Sequence, residues 1–494
     1  MVNTSLNPIS ASQFAEPEAR HLLSRAGFGG TAAQVKALVG MGLNRAVDHL
    51  VDYESIATDG LPQPESDPDL IVPATGMQRQ MMREARRQQD RQMLAKLQEQ
   101  RQQQRQTDRS QFQRIQRWWL SLLVSTPCPL QEKLTLLWHG HFATNYRTVR
   151  DSHLMYQQNQ FLRHGAAGSF ATLARGIVRD PAMLRFLDNN ANRRGKPNEN
   201  LARELMELFT LGEGQYSESD IKEGARALTG YTFVDNEFQF ARRRHDPGVK
   251  MIFGLRGRFD GDDFVGLCLK QEACPRFVAF KLYDHFVGDL VYEHLDQQFQ
   301  ATAVIRSLGG LLKRFDYRIK PVLKRLFRSQ HFYDSSVVGN KIKSPAQLVA
   351  GTVRALQLPI GDLDALVDAM RLMGQSLLDP PSVAGWSGGR SWINASTLFV
   401  RQNLCTFLLT GRRPGQESFD TGLLDHVPAF QPDHLAADTP HAIVDHWVKH
   451  LIAAPVPAWQ RQHLVEFLER RPIGPDAIAG LLLLITAMPE YQLC

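Results

Sequence analysis

With 494 residues, 43% of them hydrophobic, the chain is long and apolar enough to bury a substantial core, which excludes a disordered polymer. Its length is about three domains' worth, although one large helical domain can absorb as much. The formal charge of +6 leaves an acidic partner open, and five cysteines without a CxxC pair exclude a disulfide framework, so buried free thiols are expected.

No run of ~18 apolar residues occurs, so no helix is expected to span a bilayer. The longest apolar stretch, IAGLLLLITAM (478–488), is core-helix length. The N-terminus, MVNTSLNPISASQFAEPEARHLL, lacks the basic and apolar regions of a secretory signal. A cytoplasmic protein is therefore expected, with export alongside a signal-bearing partner as the alternative.

In chain order, ASQFAEPEARHLLSRAGFGG reads as a helix closed by glycines, bearing Arg20, His21, Ser24 and Arg25. TAAQVKALVGMGLNRAVDHLVDY follows as two short helices, the first capped by Thr31. Residues 79–117 hold 11 Arg or Lys against 4 Asp or Glu, and that net +7 exceeds the excess of the whole chain. Free of Gly and Pro, and rich in Gln, Arg, Met and Leu, they predict one long helix running on into WWLSLLVS. Its sparse apolar residues (Met77, Met81, Met82, Met93, Leu94, Leu97) predict a middle that projects into solvent. The arginines are scattered around that helix and aromatics appear only at its end (Phe112, Trp118, Trp119), so a solvated face is the better reading than a nucleic-acid or polyanion surface.

Beyond it, PLQEKLTLLWHGHF is an amphipathic helix leading into a histidine pair, and residues 152–189 give further helices broken at Gly165 and Pro181. PNENLARELMELFTLGEG is another helix, entered after Pro197 and closed by Gly212 and Gly214. Only residues 231–260 alternate like β structure, enough for one small hairpin or a three-stranded piece, and helical patterns resume to the end. The expected fold is mainly α: a large multi-helix globular domain with a small β-hairpin or short sheet near residues 231–260. The expected parts are an N-terminal helical region (1–75), the basic helix as an insertion (76–117), a helical core carrying the polar site (118–400) and C-terminal helices packed on it (401–494).

Three segments could carry chemistry. His139 and His141 flank Gly140 in LLWHGHFATN, and HxH is a metal-ligand spacing. In a helix such residues lie about 200° apart, so a shared ligand requires the chain to leave the helix there. The competing reading is a pair of core histidines bonded to carbonyls. In NENLARELMELFTLG, Asn200, Glu204 and Glu207 share one helical face, with Glu204 at the border of the apolar arc, where a carboxylate needs a counter-charge or a metal. A salt ladder through Glu199, Arg203 and Glu207 is the alternative there. In RRRHDPGVK, His245 and Asp246 sit at a turn.

Together these predict His139, His141, Glu204 and Glu207 as metal ligands and Glu204, His245 and Asp246 as catalytic groups. Such a nitrogen- and oxygen-rich set suits Zn, Mn or Fe and hydrolytic or oxidative chemistry. A fourth segment, DPPSVAGWSGGRSWINASTL (379–398), is a tight loop lacking the P-loop pattern. Its Trp386, Arg390 and Asn394 either line a cofactor pocket or pin the loop to the core.

The stretches RHLLSRAGFGG, LLWHGHFATN, NENLARELMELFTLGEGQY, ALTGY, HDPGVK with FDGDD, and PPSVAGWSGGRSWINASTL occur in order from residue 20 to about 400. In these the chain resembles a bacterial family, the domain of unknown function numbered 1800. That resemblance implies no established activity. It does imply a protein partner, because members of the family are often encoded beside a second uncharacterised family, numbered 1501. Those neighbours resemble sulfatases or alkaline phosphatases and tend to carry twin-arginine export signals. The readings are thus a metal-dependent enzyme, a non-catalytic partner or maturation factor for such a secreted protein, or a polyanion binder using the basic helix.

Overall fold

The computed structural model describes residues 3–58, 60–61, 63–64, 66–70, 82–85, 87–290, 299–412 and 439–494. Helix α1 (Glu16–Ala26) turns at glycines into α2 (Ala32–Val51), where the Thr31 hydroxyl accepts a hydrogen bond from the Gln34 amide and the Gln34 Oε1 accepts one from the Thr31 amide. Gly42 stands at φ 74° inside α2, so the segment is two helical pieces joined at a kink.

The basic helix starts later than its composition suggests. Gln89 is left-handed (φ 53°), and Asp90 caps the Met93 amide at the start of α3 (Arg91–Ser125). Met77 and Met81 lie outside the described residues. The first half of α3 is largely exposed, and burial begins at Asp108, whose carboxylate accepts from the Ser152 amide (2.8 Å), the Ser152 hydroxyl and the Tyr146 hydroxyl (both 2.6 Å). From there Phe112, Ile115, Trp119 and Leu123 enter the core.

Helix α4 (Pro129–His141) is buried along nearly its whole length and separates two hydrophobic clusters. Leu130, Leu134, Leu137 and Trp138 join one cluster and Leu136 the other. Beside α4 runs α5 (Ser152–His164), followed by α6 (Phe170–Ile177) and by α7 (Pro181–Phe186), which packs on α5. One buried carboxylate ties three of these helices. Glu132 of α4, 2% exposed, takes both forks of Arg163 from α5 (2.7 and 2.9 Å) and the indole N–H of Trp119 from α3 (2.9 Å). Arg163 also donates to Asn159 at 2.6 Å and stacks over Trp118.

Residues 200–211 begin as α8 (Asn200–Glu204) and continue as a π-helix (Leu205–Leu211) ending at Gly212, φ 85°. The face predicted at about 100° per residue is therefore not maintained past Glu204, because a π-helix bonds i to i+5. Helix α9 (Glu218–Ala227) leads to two hairpins rather than one. β1 (Tyr231–Val234) pairs antiparallel with β2 (Glu237–Phe240), and β3 (Lys250–Ile252) with β4 (Leu255–Gly257). Each turn has two left-handed residues, Asp235–Asn236 and Phe253–Gly254, which matches the strand twist.

The rest is helical: α10 (Gly261–Lys270), α11 (Ala273–Phe286), α12 (Phe299–Arg314), α13 (Ile319–Phe327), α14 (Pro345–Leu356), α15 (Leu363–Leu372), α16 (Ala395–Thr410), α17 (Pro440–Leu451), α18 (Ala458–Glu469) and α19 (Pro475–Ala487). Buried Ile319, Val322, Leu323, Leu326 and Phe327 form the i, i+3, i+4 stripe of a surface-packed helix. Helix α19 carries the apolar stretch noted above into the second cluster. Among the described residues no helix is long and apolar enough to cross a membrane, and all five cysteines are buried and free.

Removing one partner of a buried ion pair strands the other charge, at a cost of about 3–5 kcal/mol. Glu132→Ala is therefore expected to lower unfolding stability by that amount in urea titration. The Glu132→Ala/Arg163→Ala pair should be far less destabilised than the sum of the two single variants.

Candidate functional site

Both histidines of the HxH motif are helical, since α4 continues through His141 and is capped at Phe142. About 200° apart, they face different surroundings. His139 is fully buried between the rings of Trp119 and Trp386, and neither of its nitrogens has a hydrogen-bond partner among the described residues. His141 sits among Trp138, Phe142, Phe170, Phe209 and Phe277. Its Nε2 donates to the Phe209 carbonyl (2.9 Å), one of the last carbonyls of the π-helix, where intrahelical donors run out. That bond leaves a lone pair on Nδ1, which has no partner among the described residues. Burial holds both imidazoles neutral, pushing each down to about 3; for His141 the Lys281 cation adds to the effect and the Phe209 bond opposes it.

Gly140 serves contact rather than helix exit. A Cβ there would lie 3.2 Å from the Trp386 ring, and a Cβ on Gly385 (φ +82°) would lie 2.1 Å from the Gly140 carbonyl oxygen. The two glycines let the 384–392 loop press backbone to backbone on α4.

Glu207, Asp246 and the turn histidine are engaged elsewhere. Glu204 is half-buried, and burial first, then the Glu207 charge, raises its pKa. Glu207 accepts from the Tyr216 hydroxyl, and Arg203 pairs with Glu218 and Glu199. His245 bonds the Thr229 carbonyl through Nδ1 (2.9 Å). Asp246 is held by Arg226 (2.8 Å) and the Gly248 amide (2.8 Å), with its pKa lowered to about 2 chiefly by that Arg226 bond. Asn394 caps α16 by accepting from the Thr397 amide (2.9 Å), a structural use. Among the described residues, no three His, Cys, Asp or Glu side chains are grouped to hold a metal ion.

What α4 and the 384–392 loop do enclose is a cavity of about 640 Å³. Helix α4 lines it with Lys133, Leu136, Leu137, Gly140 and His141, one stripe at helical spacing. Helix α11 presents Lys281, Asp284 and His285, α1 presents Arg25, and the loop supplies Trp386 and Arg390. Of the predicted site residues, the cavity thus gathers His141, Trp386 and Arg390. Sequence reasoning missed Lys133, Lys281, Asp284, His285, Asp289 and Lys341. The stripes K-L-Y-D-H of 281–285 and K-x-x-L-L-x-x-G-H of 133–141 were the available signals, each mixing charge into an apolar helix face.

The lining is cationic. Arg25, Lys133, Lys281, Lys341 and Arg390 face Asp284, Asp289 and the charge at Cys494. Lys341 pairs with Asp289 and donates to the Asp284 carbonyl (2.7 Å). Arg25, 1% exposed, donates through Nη2 to the Val337 carbonyl (2.8 Å) and Asn340 (3.0 Å), while its Nε and Nη1 have no partner among the described residues. The same holds for His285 Nε2 and Trp386 Nε1. Lys133 donates to Gln347 and lies over the Phe28 ring. Burial above all pulls its ammonium down to about 7, and the Lys341 and Arg25 charges add to that. Burial raises the pKa of Asp284, against the pull of Lys341.

The neutral burial of His139 makes stability depend on pH. The unfolded ring takes a proton near 6.5 and the folded ring only near 3, so stability is full above 6.5 and falls as pH drops toward 3. His139→Phe removes this term. Between pH 7 and pH 5 its urea-unfolding free energy should fall by about 2 kcal/mol less than that of the wild type.

No curated protein and no solved structure matches the sequence. The model of one family, described as a protein of unknown function (DUF1800), matches residues 21–493. The chain therefore belongs to the DUF1800 family.

Proposed function

We propose that the protein binds and transforms an anionic small molecule, a carboxylate or phosphate ester, in the 640 Å³ cavity between α4, α11 and the 384–392 loop. The observation that carries this reading is the lining: five cationic side chains against Asp284, Asp289 and the charge at Cys494, with buried donor nitrogens of Arg25 and Trp386 unmatched among the described residues. Buried donors without acceptors cost about 1–3 kcal/mol each, and a ligand bearing several oxygens would satisfy them. The cavity volume suits a metabolite-sized ligand. Lys133 is the group fitted to move a proton there, since an amine held near 7 gains and loses one at working pH.

Metal-assisted hydrolysis or oxidation is the second reading, favoured by the lone pair of His141 Nδ1 on a ring that lines the same cavity. Glu207 is held by the Tyr216 hydroxyl and the predicted ligands are not grouped among the described residues, so this reading requires rearrangement of Glu204 and Glu207. Equal Zn, Mn and Fe content in purified wild-type protein and in His139→Ala/His141→Ala would remove it.

Inorganic phosphate titrated calorimetrically into the full chain tests the first reading. Arg25→Met should weaken binding about tenfold or more, as loss of a charged hydrogen bond does, whereas Glu204→Gln stays within about twofold. Identical affinities in wild type and Arg25→Met would sink the proposal. Lys133 is a cation below about 7 and neutral above it, so wild-type affinity should fall as pH rises from 6 to 8. Lys133→Met should flatten that dependence.

A further inference from the structure

A second cavity, of about 420 Å³, lies on the other side of Gln347 and Cys494, which line both. Gln347 accepts from Lys133 toward the first cavity and donates through Nε2 to the Ser24 carbonyl (3.2 Å) toward the second. The chamber is enclosed by α1 (Arg20, His21, Ser24), the 28–30 turn, one face of α14, the end of α17 (Lys449, His450, Leu451) and residues 491–494. Gly351 permits the close approach of α14 to that turn, since a Cβ there would lie 2.9 Å from the Phe28 carbonyl.

Its walls divide into a polar and an apolar part. Lys343 lies 3.7 Å from the centre of the Tyr491 ring and has no carboxylate partner among the described residues. Burial pulls its ammonium down to about 8, against the opposing charge at Cys494 and with Arg401 adding to the burial effect. Arg20 and Lys449 are the other cations, the negative charges being Glu16 and Cys494, and Arg20 is tied to Glu16 (3.8 Å) and to the Lys449 carbonyl. His21 is 2% exposed, and neither of its nitrogens reaches a hydrogen-bond partner among the described residues, although the Phe332 backbone lies close by. A neutral imidazole there offers one donor and one acceptor. Phe28, Leu451, Ile452 and Tyr491 make the rest apolar.

Three cations against Glu16 and the charge at Cys494, with a buried imidazole whose nitrogens reach no side-chain partner among the described residues, favour an anion in this chamber. The apolar remainder calls for a hydrocarbon body attached to it. We infer that the second cavity is a separate binding site for an amphipathic anion, an acid head seated at Lys343 and His21 with its apolar body against Phe28, Leu451 and Ile452. This site stands independently of the chemistry proposed for the first cavity.

Octanoate titrated into the full chain, with octanol as the uncharged control, tests the inference. Octanoate should bind at least tenfold more tightly than octanol. Lys343→Met should weaken octanoate binding tenfold or more, and His21→Phe, which keeps an aromatic ring in place, should weaken it several-fold. Phosphate affinity at the first cavity should change less than twofold in both. Circular dichroism and the thermal midpoint establish that each variant is folded, and if Lys343→Met is not, His21→Phe carries the same readout. Equal binding of octanoate and octanol, or octanoate binding unchanged in both variants, would overturn the site. So would an octanoate affinity lost in Lys133→Met but kept in Lys343→Met, which would place the ligand in the first cavity.

Discussion

The buried carboxylate of Glu132 is the constraint from which the rest of the architecture follows. It sits 2% exposed, with its oxygens taken by the Arg163 fork and the Trp119 indole. A charge so placed is tolerable only when its partners are fixed, so α3, α4 and α5 are locked in one relative orientation. With that face of α4 committed, the stripe from Lys133 to His141 is turned toward α1 and α11. The polar cavity therefore lies along the helix that the ion pair immobilises, and a site held by rigid neighbours keeps its geometry.

Helix α4 is also the wall between two hydrophobic clusters, which accounts for its near-complete burial. Polar groups on such a helix have no water to turn to. Glu132 resolves this by pairing, His139 by staying neutral between tryptophans, and Lys133 by bonding Gln347 with its proton held loosely. The same physics operates at Lys343 and His21 behind the second cavity.

The 384–392 loop completes the first chamber through absence of side chains. Gly140 and Gly385 bring two backbones together so closely that a Cβ on Gly385 would meet the carbonyl oxygen of its partner. Trp386 then covers His139, and Arg390 reaches the cavity. A loop rich in glycine and tryptophan here combines both roles its sequence suggests, pinning itself to the core and lining a pocket, while Asn394 serves only to start α16.

The sequence by itself determined the mainly α character, the hairpin region, the Thr31 cap, the free thiols and the family, because local periodicity, capping and turn chemistry act over a few residues. It also marked LLWHGHFATN and the WSGGRSW loop as places of interest. Only tertiary structure decided which side chains meet. The HxH spacing could not reveal that α4 continues through His141, because the helix persists through packing of Gly140 against a loop more than two hundred residues away. The shared face of Glu204 and Glu207 assumed an α-helix that becomes π at Leu205. The cationic chamber draws Arg25, Lys133, Lys281, Lys341 and Arg390 from five distant segments, each ordinary alone. Long-range packing, rather than any local pattern, brings those charges to one cavity and strips Arg25 and Lys133 of water.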